Sequence, residues 1–162
     1  MEIAISVRQP WAALIVLGLK DIENRTWEPP ACYLGQTINI HAGVQPDRDA
    51  LEYPRQPIKE AAERLAAYCG VREMYFKHIA YHSPEAFYMG GIVGRAVINS
   101  ATLNGSISPW ASPQPDTWHW HIVVATTSPF APCKGQLGFF KPTFQGQPSA
   151  QSVRLRQGSL FD

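Results

Sequence analysis

Lys20, Asp21, Glu23 and Arg25 put an ammonium, carboxylates and a guanidinium on neighbouring residues, just past Gly18 and just before Trp27. Such a group can bind a polar, planar ligand or move a proton on one. Lys20 can hold a phosphate or a developing oxyanion, or act as a base if desolvation carries it toward neutral pH. Glu23 beside it favours the charged form, so anion binding is the more natural task for Lys20 and proton acceptance for Glu23. Arg25 offers a planar fork to a phosphate, a carbonyl or Glu23 itself. The alternative is a solvated, charged strand edge.

Other residues extend the set. Arg8, Gln9 and Trp11 lie where a strand pattern gives way to a helix start, whose free N–H groups favour anions or carbonyl oxygens. Gln9 can pair with a base edge while Trp11 or Trp27 stacks on its face, the usual way unpaired bases are read. Both tryptophans have a core role as the alternative. His41 closes a strand and can contact a ligand or transfer a proton near neutral pH, or be a satisfied buried histidine. Lys134 adds a cation to the loop before the last strand, at the mouth of a cleft or simply in solvent. His119 and His121 share a strand face and His78 and His82 have helical spacing, but no Cys or Asp/Glu partner completes a metal pattern. No metal and no cofactor is expected.

The elements that must position these residues are legible in the hydrophobic pattern. Ile3, Ile5 and Val7 alternate as a half-buried strand, Pro10 opens a helix through Leu17, and Gly18 stops it. Strands follow over 21–27 and 37–41. The spacing of Ile58, Ala61, Ala62, Leu65 and Ala66 predicts a helix over 58–68, with a second over 72–81 and a short one capped at Ser83-Pro84. Gly90 to Ile98 reads as a core strand whose glycines bend it or let another backbone approach. In 118–126, Trp118, Trp120, Ile122 and Val124 share one face and His119 and His121 the other, and 136–140 supplies a last strand. About six strands with inserted helices predict an α+β domain whose sheet curls into a small mixed barrel. The domain spans 1–144 and a polar tail spans 145–162.

At 162 residues, 45 % hydrophobic and 17 % charged, the chain suits one globular domain. A net charge of +1 gives no strong global field, so a nucleic-acid partner would have to meet a local basic patch. Cys32, Cys69 and Cys133 are few and scattered, as expected of a reduced cytoplasmic interior. The N-terminus has no signal-peptide pattern, and no apolar run approaches the ~20 residues of a membrane span.

Ser6-Val7-Arg8-Gln9-Pro10-Trp11, Gly18-Leu19-Lys20-Asp21-Ile22-Glu23-Asn24-Arg25-Thr26-Trp27 and Ile38-Asn39-Ile40-His41-Ala42-Gly43 resemble the ASCH domain of the PUA-like superfamily. Its signature is a Gly-x-Lys-x-x-x-x-Arg core after the first helix. The resemblance implies a small β-barrel with a cleft beside that helix, used for RNA or modified-nucleoside recognition. Some members are similar to amidohydrolases that deacetylate N4-acetylcytidine, and others have been proposed as ribonucleases. Those amidohydrolases use the lysine and a threonine three residues on, where this chain has Glu23. The expected function is RNA or modified-nucleotide binding, with hydrolysis by Lys20, Glu23 and Arg25 as the alternative. In the tail, Gln157, Leu160 and Phe161 resemble the bacterial sliding-clamp-binding peptide, which implies a DNA sliding clamp as a possible partner. No membrane partner is expected.

Overall fold

A computed structural model of the chain describes residues 2–52, 60 and 84–144. The helices expected over 58–68 and 72–81, and the tail with Gln157, Leu160 and Phe161, lie outside the described residues.

Strand β1 (Ala4–Val7) leads into helix α1 (Trp11–Val16), followed by β2 (Ile22–Arg25), β3 (Thr37–Ala42), the short helix α2 (Arg48–Glu52), the long strands β4 (Gly91–Leu103) and β5 (Trp118–Pro132), and β6 (Phe139–Phe140). A 3-10 turn over Pro84–Phe87 stands where a short helix was expected. The six strands form one mixed sheet in the order β2-β5-β4-β3-β1-β6. β1 and β3 run parallel, with Ser6 opposite His41, and the other pairings are antiparallel.

Alternation in β1 sends Ile5 and Val7 to the main core and Ala4 to a smaller cluster with Ile92, Cys133 and Phe140. Helix α1 is buried from Ala12 to Val16, so it acts as the plug of the fold rather than as a surface helix. Gly94 makes this possible: a Cβ there would fall 2.3 Å from the Thr126 carbonyl oxygen and 2.6 Å from a Val16 methyl. The glycines of β4 therefore serve close approach.

The sheet is strongly curled. Three register shifts between β4 and β5 mark bulges, which bend strands and increase twist. One passes through Val124, whose φ is +49° and which is 79 % exposed. The alternation expected along 118–126 holds through Trp120 and Ile122 and fails at Val124, because the extra residue of a bulge leaves the pleat. Curling brings the two edge strands together. Phe139 of β6 stacks on Trp120 with centroids 5.6 Å apart, and Trp27, just past β2, meets both rings edge-on at 5.9 and 4.7 Å. The result is a half-barrel.

Candidate functional site

Helix α1 ends at Leu17, and the chain turns back so that the Lys20 N–H donates to the Leu14 carbonyl, 3.0 Å away. That turn aims the lysine inward: it is only 4 % exposed. Its Nζ donates to the Ile22 carbonyl and, over 3.0 Å, to Glu23 Oε2, and it lies 5.8 Å from the Trp11 ring centroid. Both Ile22 and Glu23 of β2 are buried, so this strand is covered on both faces rather than being a solvated edge.

Glu23 joins two cations. Its second oxygen, Oε1, lies 3.0 Å from Arg25 Nε. That N–H is not aimed at the carboxylate, so the contact is an ion pair without a hydrogen bond. Burial raises the Glu23 pKa, but the charges of Lys20 and Arg25 and the lysine hydrogen bond outweigh it and hold the pKa below 4.5. The sequence suggested Glu23 as the proton acceptor. The structure corrects this, because both oxygens are committed to cations that stabilise the ionised form and so make it a weak base.

Arg25 reaches across the mouth of the half-barrel, with Nη2 donating over 2.7 Å to the Ser6 carbonyl of β1. Its guanidinium lies 5.7 Å from the Trp120 ring centroid. On the other side of Ser6, its hydroxyl stands 3.2 Å from His41 Nδ1 and 3.1 Å from the Gln136 carbonyl oxygen. His41 is 2 % exposed, and its Nε2 is 3.2 Å from the Cys133 carbonyl oxygen. Burial lowers the His41 pKa below 6.5 against the opposing effect of the Cys133 hydrogen bond. A polar line thus runs from Lys20 through Glu23, Arg25 and Ser6 to His41.

The remaining candidates divide between framework and rim. Gln9 is fully buried, its amide donating to the Ala86 and Tyr88 carbonyls at 2.8 and 3.0 Å and accepting from the Ala13 N–H at 3.1 Å. It was expected to meet a base edge; instead it satisfies a helix-start donor and ties α1 to the turn at 84–87. Trp11 is half-buried, donating from Nε1 to Asp47 Oδ2 at 3.0 Å and meeting Trp110 edge-on. Trp27 is also half-buried, and its carbonyl accepts from Trp120 Nε1 at 3.1 Å. Arg8 and Lys134 are exposed and make no side-chain hydrogen bond or ion pair among the described residues.

Asn24, which the sequence did not single out, joins Asp21 and His119, which it did, in the wall beside β2. Asn24 donates to the Trp110 carbonyl at 2.9 Å and accepts from the Ser112 N–H at 2.8 Å, while Asp21 accepts from the Ser108 hydroxyl at 2.6 Å. His119 accepts from the Ser106 N–H on Nδ1, so its Nε2 carries the proton that it donates to the Ser112 carbonyl. These contacts pin the loop after β4 against β2 and β5. Asparagine in a strand and serine with proline in a loop signal side-chain-to-backbone pinning, but not where it lands. Among the described residues no group of His, Cys, Asp and Glu could hold a metal ion, and no helix is long and apolar enough to cross a membrane.

A small α+β half-barrel with a buried cationic cluster at its mouth defines the class. The chain belongs to the ASCH domain family, whose model matches residues 5–126. That family has a PUA-like fold and is generally RNA-binding. Among solved structures, a mutant of ZmASCH from Zymomonas mobilis is similar at 15 % identity and a TM-score of 0.46, over 95 % of this chain and 94 % of that one. No curated protein sequence matches the chain.

Proposed function

We propose that this ASCH domain binds single-stranded RNA or a modified nucleotide at the mouth of the half-barrel, with a phosphate or other anionic oxygen received by Lys20 and Arg25. The observation that carries this reading is the charge count of the cluster. Two cationic side chains share one ionised carboxylate, with no further acidic partner among the described residues. A buried excess of positive charge is costly unless an anion balances it. Donors also remain unspent: Lys20 has three N–H groups and two acceptors, and Arg25 has five N–H groups of which one reaches the Ser6 carbonyl. Arg8 and Lys134 are the exposed cations for backbone phosphates, and the open parts of Trp11 and Trp27 are the surfaces for a base.

Fluorescence anisotropy with a labelled single-stranded RNA tests the reading. Binding should weaken steeply with added salt, because phosphate contacts release counterions. Arg25→Gln should weaken it about tenfold, the cost of one charge-assisted contact at roughly 1.4 kcal/mol, with an unchanged circular dichroism spectrum. Affinity independent of salt, or equal in the variant, would reject the proposal.

A further inference from the structure

We infer that Ser6 and His41 form a nucleophile and base pair that cleaves a small carboxylic ester, an activity beyond nucleic-acid binding. The pair is fixed by strand register: β1 and β3 are parallel, and Ser6 lies directly opposite His41. Proton placement follows from the partners. The Cys133 carbonyl can only accept, so the hydrogen of neutral His41 sits on Nε2 and the lone pair on Nδ1 faces the Ser6 hydroxyl at 3.2 Å. The Cys133 carbonyl thereby does for His41 what a carboxylate does in a hydrolase triad, holding the tautomer and the ring orientation. Phe140 fixes the ring further, edge-on with centroids 5.7 Å apart.

The Ser6 hydroxyl has one hydrogen and two acceptors, the Gln136 carbonyl at 3.1 Å and His41 Nδ1. Rotation about its C–O bond moves that hydrogen from the resting acceptor to the base. Ser6 itself is half-buried, which leaves the oxygen a path to solvent. Gly135 closes over the pair so tightly that a Cβ would lie 2.5 Å from His41 Cε1 and 2.9 Å from Ser6 Oγ. The Gly135 and Gln136 N–H groups make no hydrogen bond among the described residues and so are available to an oxyanion. Arg25 adds positive charge at the backbone carbonyl of the reacting residue itself.

In the reaction, Ser6 Oγ forms a bond to the ester carbonyl carbon as His41 Nδ1 takes the hydroxyl proton. The bond to the alcohol oxygen then breaks, and His41 returns the proton to the departing alkoxide. Water attacks the acyl-serine with His41 again as base, releasing the carboxylic acid and restoring Ser6. Burial keeps His41 neutral to lower pH than a free imidazole, as a base requires. Burial is the leading cause of that shift, and the hydrogen bond to the Cys133 carbonyl opposes it.

A fluorophosphonate probe with mass-spectrometric mapping, together with p-nitrophenyl acetate hydrolysis, tests the inference on the full chain. The probe should label Ser6, and Ser6→Ala should lose both label and turnover. His41→Gln, which keeps a donor for the Cys133 carbonyl, should slow turnover about 100-fold, within the usual contribution of a general base. The wild-type rate should rise with pH and level off near neutrality. Ser6→Ala keeps the Cβ and reports even if His41→Gln folds poorly. No label on Ser6, or equal turnover by Ser6→Ala, would overturn the assignment.

Discussion

The two halves of the polar line meet at one residue, Ser6, through its carbonyl oxygen on one side and its hydroxyl on the other, and use their polar groups in opposite ways. On the β2 side, Lys20, Glu23 and Arg25 are charged and close-paired, and the carboxylate is held ionised by its neighbours. Beyond Ser6, burial favours the neutral form of His41, and its contacts are a carbonyl, a hydroxyl and an aromatic edge. The first arrangement can receive an anion but is poorly suited to accept a proton. The second can accept a proton but carries no charge to attract a ligand. An ionisable side chain's neighbours, more than its type, decide which task it can perform.

The sharpest way to break the comparison is to remove the carboxylate. Glu23→Ala leaves the buried Lys20 and the half-buried Arg25 as neighbouring like charges without an acidic partner, and should cost up to about 3–5 kcal/mol in chemical denaturation, the usual penalty for breaking a buried pair. Ser6→Ala, at the other end of the line, should cost far less, because no charge is stranded. Equal losses would mean that the cluster is solvated enough for its charges not to matter.

That contrast was only half legible in the sequence. Residues of Lys20 to Arg25 signalled chemistry by type, and alternation in Ile3 to Val7 and the apolar block after Pro10 were enough to place β1 and α1. The Ser6–His41 contact joins residues 35 apart through the parallel register of β1 and β3, which no local pattern encodes. Gln9 shows the reverse failure. Its type suggested base recognition, but the carbonyls of Ala86 and Tyr88 that claim its amide come from far along the chain. Val124 looked like a face residue because period two was intact, and only the pairing with β4 reveals the bulge. Long-range partners, rather than residue types, were the missing information.

Acid should separate the two regions by where each loses stability. His41 has a lowered pKa in the folded state, so the unfolded chain binds its proton first. Its contribution is complete above about 6.5 and is lost as pH falls below that value toward the folded pKa. Glu23 is lowered in the same sense from 4.5, so its contribution persists to more acid pH and is lost below that. Denaturant titrations across pH 3–8 should therefore show a first decline beginning near 6.5 and a steeper one below 4.5. His41→Gln should erase the upper decline and leave the lower one. Persistence of the upper decline in that variant would assign it to another group.

The smallest effect on folding is expected at the two exposed cations, Arg8 and Lys134. Arg8 and Lys134 are exposed and unpaired among the described residues, so replacing either with alanine should change stability by no more than about 0.5 kcal/mol. If both contact phosphates, each substitution should weaken RNA binding a few-fold and reduce the salt slope by about 0.7, the value for one phosphate on a single strand. Arg25 should behave differently, since Arg25→Gln also removes the hydrogen bond to the Ser6 carbonyl and disturbs the pair beyond it. A rim variant that lowers affinity and leaves ester turnover intact, set against an Arg25 variant that lowers both, would locate the coupling between the two regions at the Ser6 carbonyl. Arg25→Gln lowering affinity alone would make them independent neighbours.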